Sequence, residues 1–293
     1  MPGSSASNNN GRSLEYLISD ALNKVSGCTF TSRAAEDQIR DSATVKLIDP
    51  LLRKSFKAAA DLVQPWILSE IEYSKGSQFQ VDRHSDSDQG VADITLKRGA
   101  STLAISVKHN HDALSHPRPY SLADAMGLAG THLEVDHRNR MSKITDNFRK
   151  ASRGATTFPE VPTLKLKLYQ AACSECATTV NLAARKTGVA GVLFDFLVGS
   201  NFKKLLVETS NSNKSLKSIT VADYTNIKSP GAVKATVDNR SRASSLILIF
   251  DNGWKIDLRI KNASTGISQA GQVSLKFDAQ KKAGAIPPIQ VIV

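Results

Sequence analysis

The stretch Val91–Asn110, VADITLKRGASTLAISVKHN, constrains the fold more than any other part of the chain. It reads as a β-hairpin whose register can be worked out in advance. Gly99-Ala100 is a two-residue loop with glycine first, the preference of a type II′ turn. That turn pairs Arg98 with Ser101, Leu96 with Leu103, Ile94 with Ile105 and Asp93 with Ser106. Side chains alternate along a strand, so Ile94, Leu96, Leu103, Ile105 and Val107 share an apolar face. Asp93, Ser106 and Lys108 then share the other face. A carboxylate and an amine at the end of a hairpin, beside His109-Asn110-His111, form an arrangement suited to a metal-dependent phosphodiesterase. The plain alternative is a cross-strand ion pair.

The chain has 293 residues, enough for one large domain or two ordinary ones. No apolar run approaches the 18 or so residues of a membrane span. The opening residues MPGSSASNNNG are small and polar, and read as a disordered arm over residues 1–11. Three cysteines, Cys28, Cys173 and Cys176, are too few for a disulfide framework, which favours a reducing, cytoplasmic setting. The net charge of +11 calls for a polyanionic partner, nucleic acid before an anionic membrane surface. The charge is clustered: the stretch 138–153 holds Arg138, Arg140, Lys143, Arg149, Lys150 and Arg153 against the single acid Asp146 within it.

Periodicity predicts helices over 13–25 with Ser13 as N-cap, over 32–40, and over 50–71 with a kink or break at Pro65. A strand is expected at 79–83 and a turn-rich loop at 84–90. After the hairpin come a short helix over 121–130 capped by Ser121, helices over 134–153 and 163–186, and a partly helical 189–207. Beyond about residue 210 the pattern changes. Residues 218–224, 243–250 and 254–260 read as strands, the last two joined by Asp251-Asn252-Gly253, with more strand at 273–277 and 290–293. The organisation is α/β or α+β: a helix-rich core over 12–210 with the hairpin at 91–108, then a β-rich portion over 211–293 that would contact DNA.

Phosphodiester hydrolysis needs a polarised phosphate, an oriented water and neutralisation of the transition-state charge. Mg²⁺ takes hard oxygen ligands, one or two carboxylates among them. Asp93 can supply one, and Lys108 can hold the water or the developing charge. This arrangement resembles the PD-(D/E)xK restriction-endonuclease-like core, with an acid on one strand and an acid-x-Lys pair on the next. Asp93 followed by Ser106-Val107-Lys108 matches the spacing. The residue before Asp93 is Ala92 rather than proline, which matters little. The acid expected at position 106 is a serine, which cannot be an anionic ligand at neutral pH. In a subset of these nucleases with Ser-x-Lys, the following helix supplies the second acid. Asp124 fits that role here, with Glu134 behind it. Glu15 matches the acid often contributed by the N-terminal helix.

The runs SVKHNHDALSHPRP (106–119), FDNGWKIDLRIKNAS (250–264) and VSLKFD (273–278) resemble the HaeIII-type restriction endonucleases. The resemblance extends from about residue 12 over most of the chain. It implies Mg²⁺-dependent cleavage of double-stranded DNA at GGCC and a cognate DNA methyltransferase that protects the host. Cutting both strands of a palindrome invites a homodimer or sequential nicking.

All six histidines lie between His84 and His137. His109 or His111 could act as general base or phosphate donor, whereas His84, His132 and His137 read as exposed loop residues. A structural zinc is a further alternative, with irregular ligand spacing against it. Asn110, His111 and Arg118 are candidate DNA contacts, since arginine pairs bidentately with guanine. Arg138, Arg140, Arg149 and Lys150 suit phosphates, which position without specifying sequence. Arg259, Lys261 and Asn262 follow a strong hairpin signal and are expected to face DNA, with Lys276 weaker. The lone Cys173-x-x-Cys176 reads as incidental. An inactive DNA-binding protein with a nuclease-like fold is the competing reading, kept alive by Ser106.

Overall fold

The computed structural model describes residues 6–84, 91–111, 114–240, 243–271 and 273–293. Residues 1–5 of the expected arm and 85–90 of the expected loop lie outside these. The fold is mixed α/β, with two sheets and seven α-helices among the described residues. No described helix is long and apolar enough to cross a membrane.

The chain divides into two compact units, and not at residue 210. The first holds Met1–Asp112, Ser200–Ile227 and Pro287–Val293; the second holds Ala113–Gly199 and Lys228–Ile286. Strand pairing explains the interleaving. Within the first unit, β4 (Ser101–His109) lies parallel to β5 (Lys203–Thr209), with Ile105 opposite Lys203 and Val107 opposite Leu205. Parallel neighbours cannot be joined by a tight turn and need a crossover. The whole of Ala113–Gly199 sits in that crossover.

The first unit carries a seven-stranded mixed sheet. Its order is β1 (Cys28–Phe30), β2 (Phe79–Arg83), β3 (Ile94–Arg98), β4, β5, β6 (Leu216–Asp223) and β11 (Ile289–Val291). The hairpin register is the one the sequence predicts: Ile94 opposite Ile105, Leu96 opposite Leu103, Arg98 opposite Ser101. Gly99 supplies the positive φ of +57° that the first turn position requires. Helices α1 (Ala6–Asn23), α2 (Ser32–Leu47) and α3 (Pro50–Glu70) accompany the sheet. The apolar hairpin face joins one core with Leu14, Ile18 and Leu22 of α1 and Phe56, Val63 and Ile67 of α3.

Three local expectations change. Helix α1 begins at Ala6, so residues 6–11 are helical and Ser13 is a buried interior residue. Adding turns to an existing helix costs far less than nucleating one, so a polar stretch is carried along by the packed face behind it. Helix α3 runs unbroken past Pro65, because Val63, Trp66 and Ile67 on either side are buried and hold it. Its start is fixed by Asp49, which accepts hydrogen bonds from the Leu51 and Leu52 amides.

The second unit carries a four-stranded antiparallel sheet, β10 (Leu275–Ala283), β9 (Lys255–Asn262), β8 (Ala243–Phe250) and β7 (Val233–Arg240). Strand β7 has no counterpart in the sequence reading, although Val233, Ala235 and Val237 alternate. Its helices are α4 (Leu122–Ala125), α5 (His132–Ala151), α6 (Pro162–Ala183) and α7 (Val189–Leu197). Ser121 ends a short 3-10 turn and makes no side-chain cap to α4. Helix α6 is tied to the sheet where the Asn181 amide bonds both backbone groups of Ala235, each at 2.9 Å. Trp254 and Phe250 meet the edge of Phe194 from α7. Cys173 and Cys176 are buried on α6 as free thiols, and burial pushes the Cys173 thiol up to about 12.

Strand β4 is central to the first unit, and Ile105 is wholly buried there. Truncating Ile105 to alanine should cost about 2–5 kcal/mol. The measurement is a urea melt, with a lowered midpoint and an unchanged slope. A midpoint equal to that of the parent would contradict the central placement of β4.

Candidate active site

Asp93 stands at the open end of the β3–β4 ladder. Its amide donates to the carbonyl of Ile105 at 2.8 Å, the residue already opposite Ile94. The ladder therefore ends at Ile94, and the expected pairing of Asp93 with Ser106 is replaced by a one-residue irregularity, with the Ser106 hydroxyl meeting the Asp93 carboxylate instead. Three donors converge on its Oδ2: the Val107 amide at 2.6 Å, the Ser106 hydroxyl at 3.1 Å and the Lys108 ammonium at 3.2 Å. Its Oδ1 accepts no hydrogen bond among the described residues. The serine at the position where an acid was expected is thus a buried support for Asp93. Lys108 and Asp93 remain partly open to solvent.

Glu15 of α1 completes the cluster. Burial pushes its carboxyl up, and the Asp93 charge pushes it further, against the pull of Arg83 and Lys108. The balance raises it from the ordinary 4.5 to about 8. Arg83, on β2, is itself almost wholly buried. Its Nη2 donates to Glu15 Oε2 at 3.3 Å and to Asp41 Oδ2 at 2.9 Å, and its Nη1 to Gln38 Oε1 at 2.9 Å. Burial alone would raise the Asp41 carboxyl, but the Arg40 hydrogen bonds and the Arg83 and Arg12 charges outweigh it and hold the group low. Sequence reasoning did not single out Arg83, Asp41 or Gln38. They come from β2 and α2, and only the packing of α1 and α2 brings them to Glu15. Lys204 was missed too: it pairs with Ser106 across the β4–β5 ladder and stacks its ammonium over the Tyr224 ring.

Of the acids considered from sequence, Glu15 is the one that the first unit brings to Asp93. Asp124 belongs to the second unit, where Arg138 Nη2 donates to its Oδ2 at 2.7 Å. Glu134, one turn before Arg138 on α5, also pairs with it. Two neighbouring carboxyl groups, Asp93 and a Glu15 kept protonated by burial and by the Asp93 charge, form an oxygen donor set that fits a hard divalent ion such as Mg²⁺. Among the described residues there is no group of three or more His, Cys, Asp or Glu suited to a metal.

His109 lies elsewhere. By alternation it is on the face opposite Lys108, where its ring meets the Phe56 edge at 4.7 Å and its Nε2 bonds Thr209 Oγ1 at 2.8 Å. Burial, with the nearby His111 and Lys214 charges, lowers its pKa. A role as general base for Asp93 and Lys108 does not follow from this placement; one residue of strand alternation separates the two faces. Asn110 takes φ +59°, donates its amide to the Val207 carbonyl, and accepts the Thr209 amide at 2.7 Å. His109 and Asn110 also line a cleft of about 310 Å³ with Asp49, Thr209, Asn211 and Lys214. His111 is exposed.

In the second unit, His137 is not the exposed loop residue expected. It is wholly buried, bonded to the Pro119 carbonyl at 2.8 Å, Thr179 at 2.9 Å and Glu175 at 3.2 Å. The basic run of α5 is largely spoken for. Arg138 pairs with Asp124 and Glu134, Arg140 with Glu175 at 2.9 Å, and Arg149 with Asp146. Lys143, Lys150 and Arg153 stay exposed, as do His132 and Arg118. On β9, Asn262 is turned to the helix side, where its Oδ1 accepts from Tyr169 Oη at 2.9 Å. Arg259 and Lys261 are on the opposite face. No protein-family model matches the chain, and no curated protein matches it either.

The raised Glu15 pKa fixes the sign of a pH effect. Below about 4.5 the folded and unfolded chains both hold this proton. As pH rises towards 8 the unfolded chain releases it and the folded chain does not, so Glu15 lowers stability progressively across that window. Glu15→Gln should therefore raise the melting temperature relative to the parent, by an amount that grows between about pH 5 and about pH 9 in EDTA. A difference that does not change with pH would refute the buried, neutral Glu15.

Proposed function

We propose that the protein is a type II site-specific endonuclease that hydrolyses double-stranded DNA with Mg²⁺, built on a PD-(D/E)xK core and similar to the HaeIII-type enzymes. The observation that carries this reading is the convergence of Glu15, Asp93 and Lys108 at the end of one mixed sheet, with Ser106 and the Val107 amide holding Asp93 in place. Further support comes from the topology: an N-terminal helix bearing an acid, the antiparallel run β2–β3–β4, and β5 returning parallel to β4. The same reading assigns GGCC as the target, a cognate methyltransferase as functional partner, a homodimer for double-strand cutting, and the cytoplasm as the setting.

Each residue has a distinct task in this reading. Asp93, through Oδ1, and Glu15 would hold Mg²⁺. The ion, when bound, would polarise the scissile phosphate and stabilise its developing charge. Ser106 and Val107 fix the rotamer of Asp93 by saturating its other oxygen. Lys108 donates protons in hydrogen bonds and cannot accept one while charged, so it would orient the attacking water and offset transition-state charge. Arg83 positions Glu15 from behind. Glu15 must give its proton to solvent before it can act as an anionic ligand, which makes metal affinity rise with pH.

The test is incubation with plasmid DNA with and without Mg²⁺. Discrete fragments are expected, with cutting reduced on the order of a hundredfold or more in Lys108→Ala. Fragments mapping away from GGCC would reject the specificity and keep the chemistry. Tight binding without cutting under any divalent metal would reject the enzyme and leave the inactive DNA-binding protein that Ser106 favours. A second expectation concerns the ion alone. Mg²⁺ should raise the melting temperature more at about pH 8.5 than at about pH 6, and Asp93→Asn should abolish the effect.

A further inference from the structure

The four-stranded sheet of the second unit has two unlike faces. One carries Val233, Ala235, Leu246, Leu248, Ile256, Leu258 and Phe277 in register and is buried. The other carries the alternate positions. Following the register from β10 to β7, it presents Lys276 opposite Lys261, Asp278 opposite Arg259 opposite Ser245, and Ile249 between Lys255 and Lys234. Lys282, at the bulge of β10, joins them. Lys234, Lys255, Arg259 and Lys276 are exposed.

The acids on this face are outnumbered and mostly committed. Asp278 is paired with Lys261, and buried Asp257 lies 3.6 Å from Lys282. Asp238 also has a partner. Lys234, Lys255, Arg259 and Lys276 make no ion pair among the described residues. Neighbouring strands lie about 4.8 Å apart, and alternate residues along a strand about 7 Å apart. The unpaired cations therefore spread over a patch about 15 Å across the strands and about 20 Å along them, wide enough to meet several phosphates of a duplex that carries one charge per about 1.7 Å of axis.

Ser245, Ile247 and Asp257 at the middle of this face are buried, and the exposed cations stand around them. We infer that these cations of the sheet face, Lys234, Lys255, Arg259 and Lys276, bind the phosphate backbone of double-stranded DNA without reading sequence. Among the described residues the face carries no aromatic side chain on which unpaired bases could stack, which disfavours single-stranded nucleic acid. Ile249, 42% exposed, is its one exposed large apolar residue among the described residues, too little to anchor in a bilayer. Compared with the sequence expectation, the surface keeps Arg259, loses Asn262 to Tyr169 and leaves Lys261 neutralised by Asp278. Only the choice of DNA as the polyanion rests on the proposed function.

The test measures duplex binding by fluorescence anisotropy in EDTA, across a salt series, on a sequence lacking GGCC. In Lys255→Gln/Arg259→Gln/Lys276→Gln, the slope of log affinity against log salt should become shallower by about 0.9 for each cation removed. Single substitutions should each give about one third of that change, and Lys255→Arg/Lys276→Arg should restore the parent slope at those two positions. Circular dichroism should match the parent. An unchanged duplex slope overturns the inference, as does a loss seen with phosphatidylserine vesicles or single strands but not with duplex. Failure here is distinct from failure of the nuclease reading. A protein that shows this slope change but never cuts with Mg²⁺ rejects the nuclease and leaves the surface standing. One that cuts, with an unaltered slope in the triple variant, does the reverse.

Discussion

Strand β4 hydrogen-bonds on both edges, antiparallel to β3 and parallel to β5, and most of the first unit follows from that double pairing. The antiparallel edge is local and is set by a two-residue turn. The parallel edge is not local. It obliges the chain to leave after Asn110 and come back at Lys203, and the excursion is long enough to build the helices of a second unit. A second excursion, between β6 and β11, supplies that unit's sheet. Asn110 sits where the first departure occurs. Its left-handed backbone and its bonds to Val207 and Thr209 lock the ends of β4 and β5 together as the chain turns away. For that residue the structure supplies a packing reason before any contact with a ligand need be considered.

The site depends on a second constraint, the burial of Arg83. A guanidinium removed from water has to be paired, and removing one partner of such a set is far costlier than never having built it. Arg83 is met by Asp41, Glu15 and Gln38, and Asp41 is met in turn by Arg40 and Arg12. The surplus of cations around Asp41 keeps that acid charged. Glu15, deeply buried and beside the Asp93 charge, is driven the other way. Two carboxylates near one guanidinium thus acquire opposite protonation, which separates a structural anion from one that is ready to exchange its proton for a cation.

The distribution of charge is less obvious than its total. The sequence places its densest positive run on α5, yet the fold spends the arginines there on Asp124, Glu134, Glu175 and Asp146. Buried His137 belongs to the same internal network through Glu175. Cations far apart in sequence, Lys234, Lys255, Arg259 and Lys276, are gathered instead on one sheet face. A run of basic residues on a helix shows its charge at once, while a basic sheet face is assembled by register from residues two apart on separate strands.

The hairpin was legible from the residues alone in its turn, its apolar face and its register from Ile94 to Ser101, though not in the pairing of Asp93 with Ser106, where the ladder ends. These are short-range matters, decided by a glycine's tolerance of positive φ and by a side-chain period of two. The sequence also marked most helices and the strands β6, β8 and β9, because amphipathic periodicity records which side of an element is buried. The sequence carried no sign that α1 extends to Ala6 or that α3 passes through Pro65, where packing overrides local preference. Nor could it separate His109 from the face of Asp93 and Lys108, or reveal Arg83, Asp41 and Gln38 around Glu15. Those outcomes depend on how α1 and α2 pack against β2 and on the parallel pairing of β4 with β5. Such contacts join residues remote along the chain, and only the tertiary structure decides which of them meet.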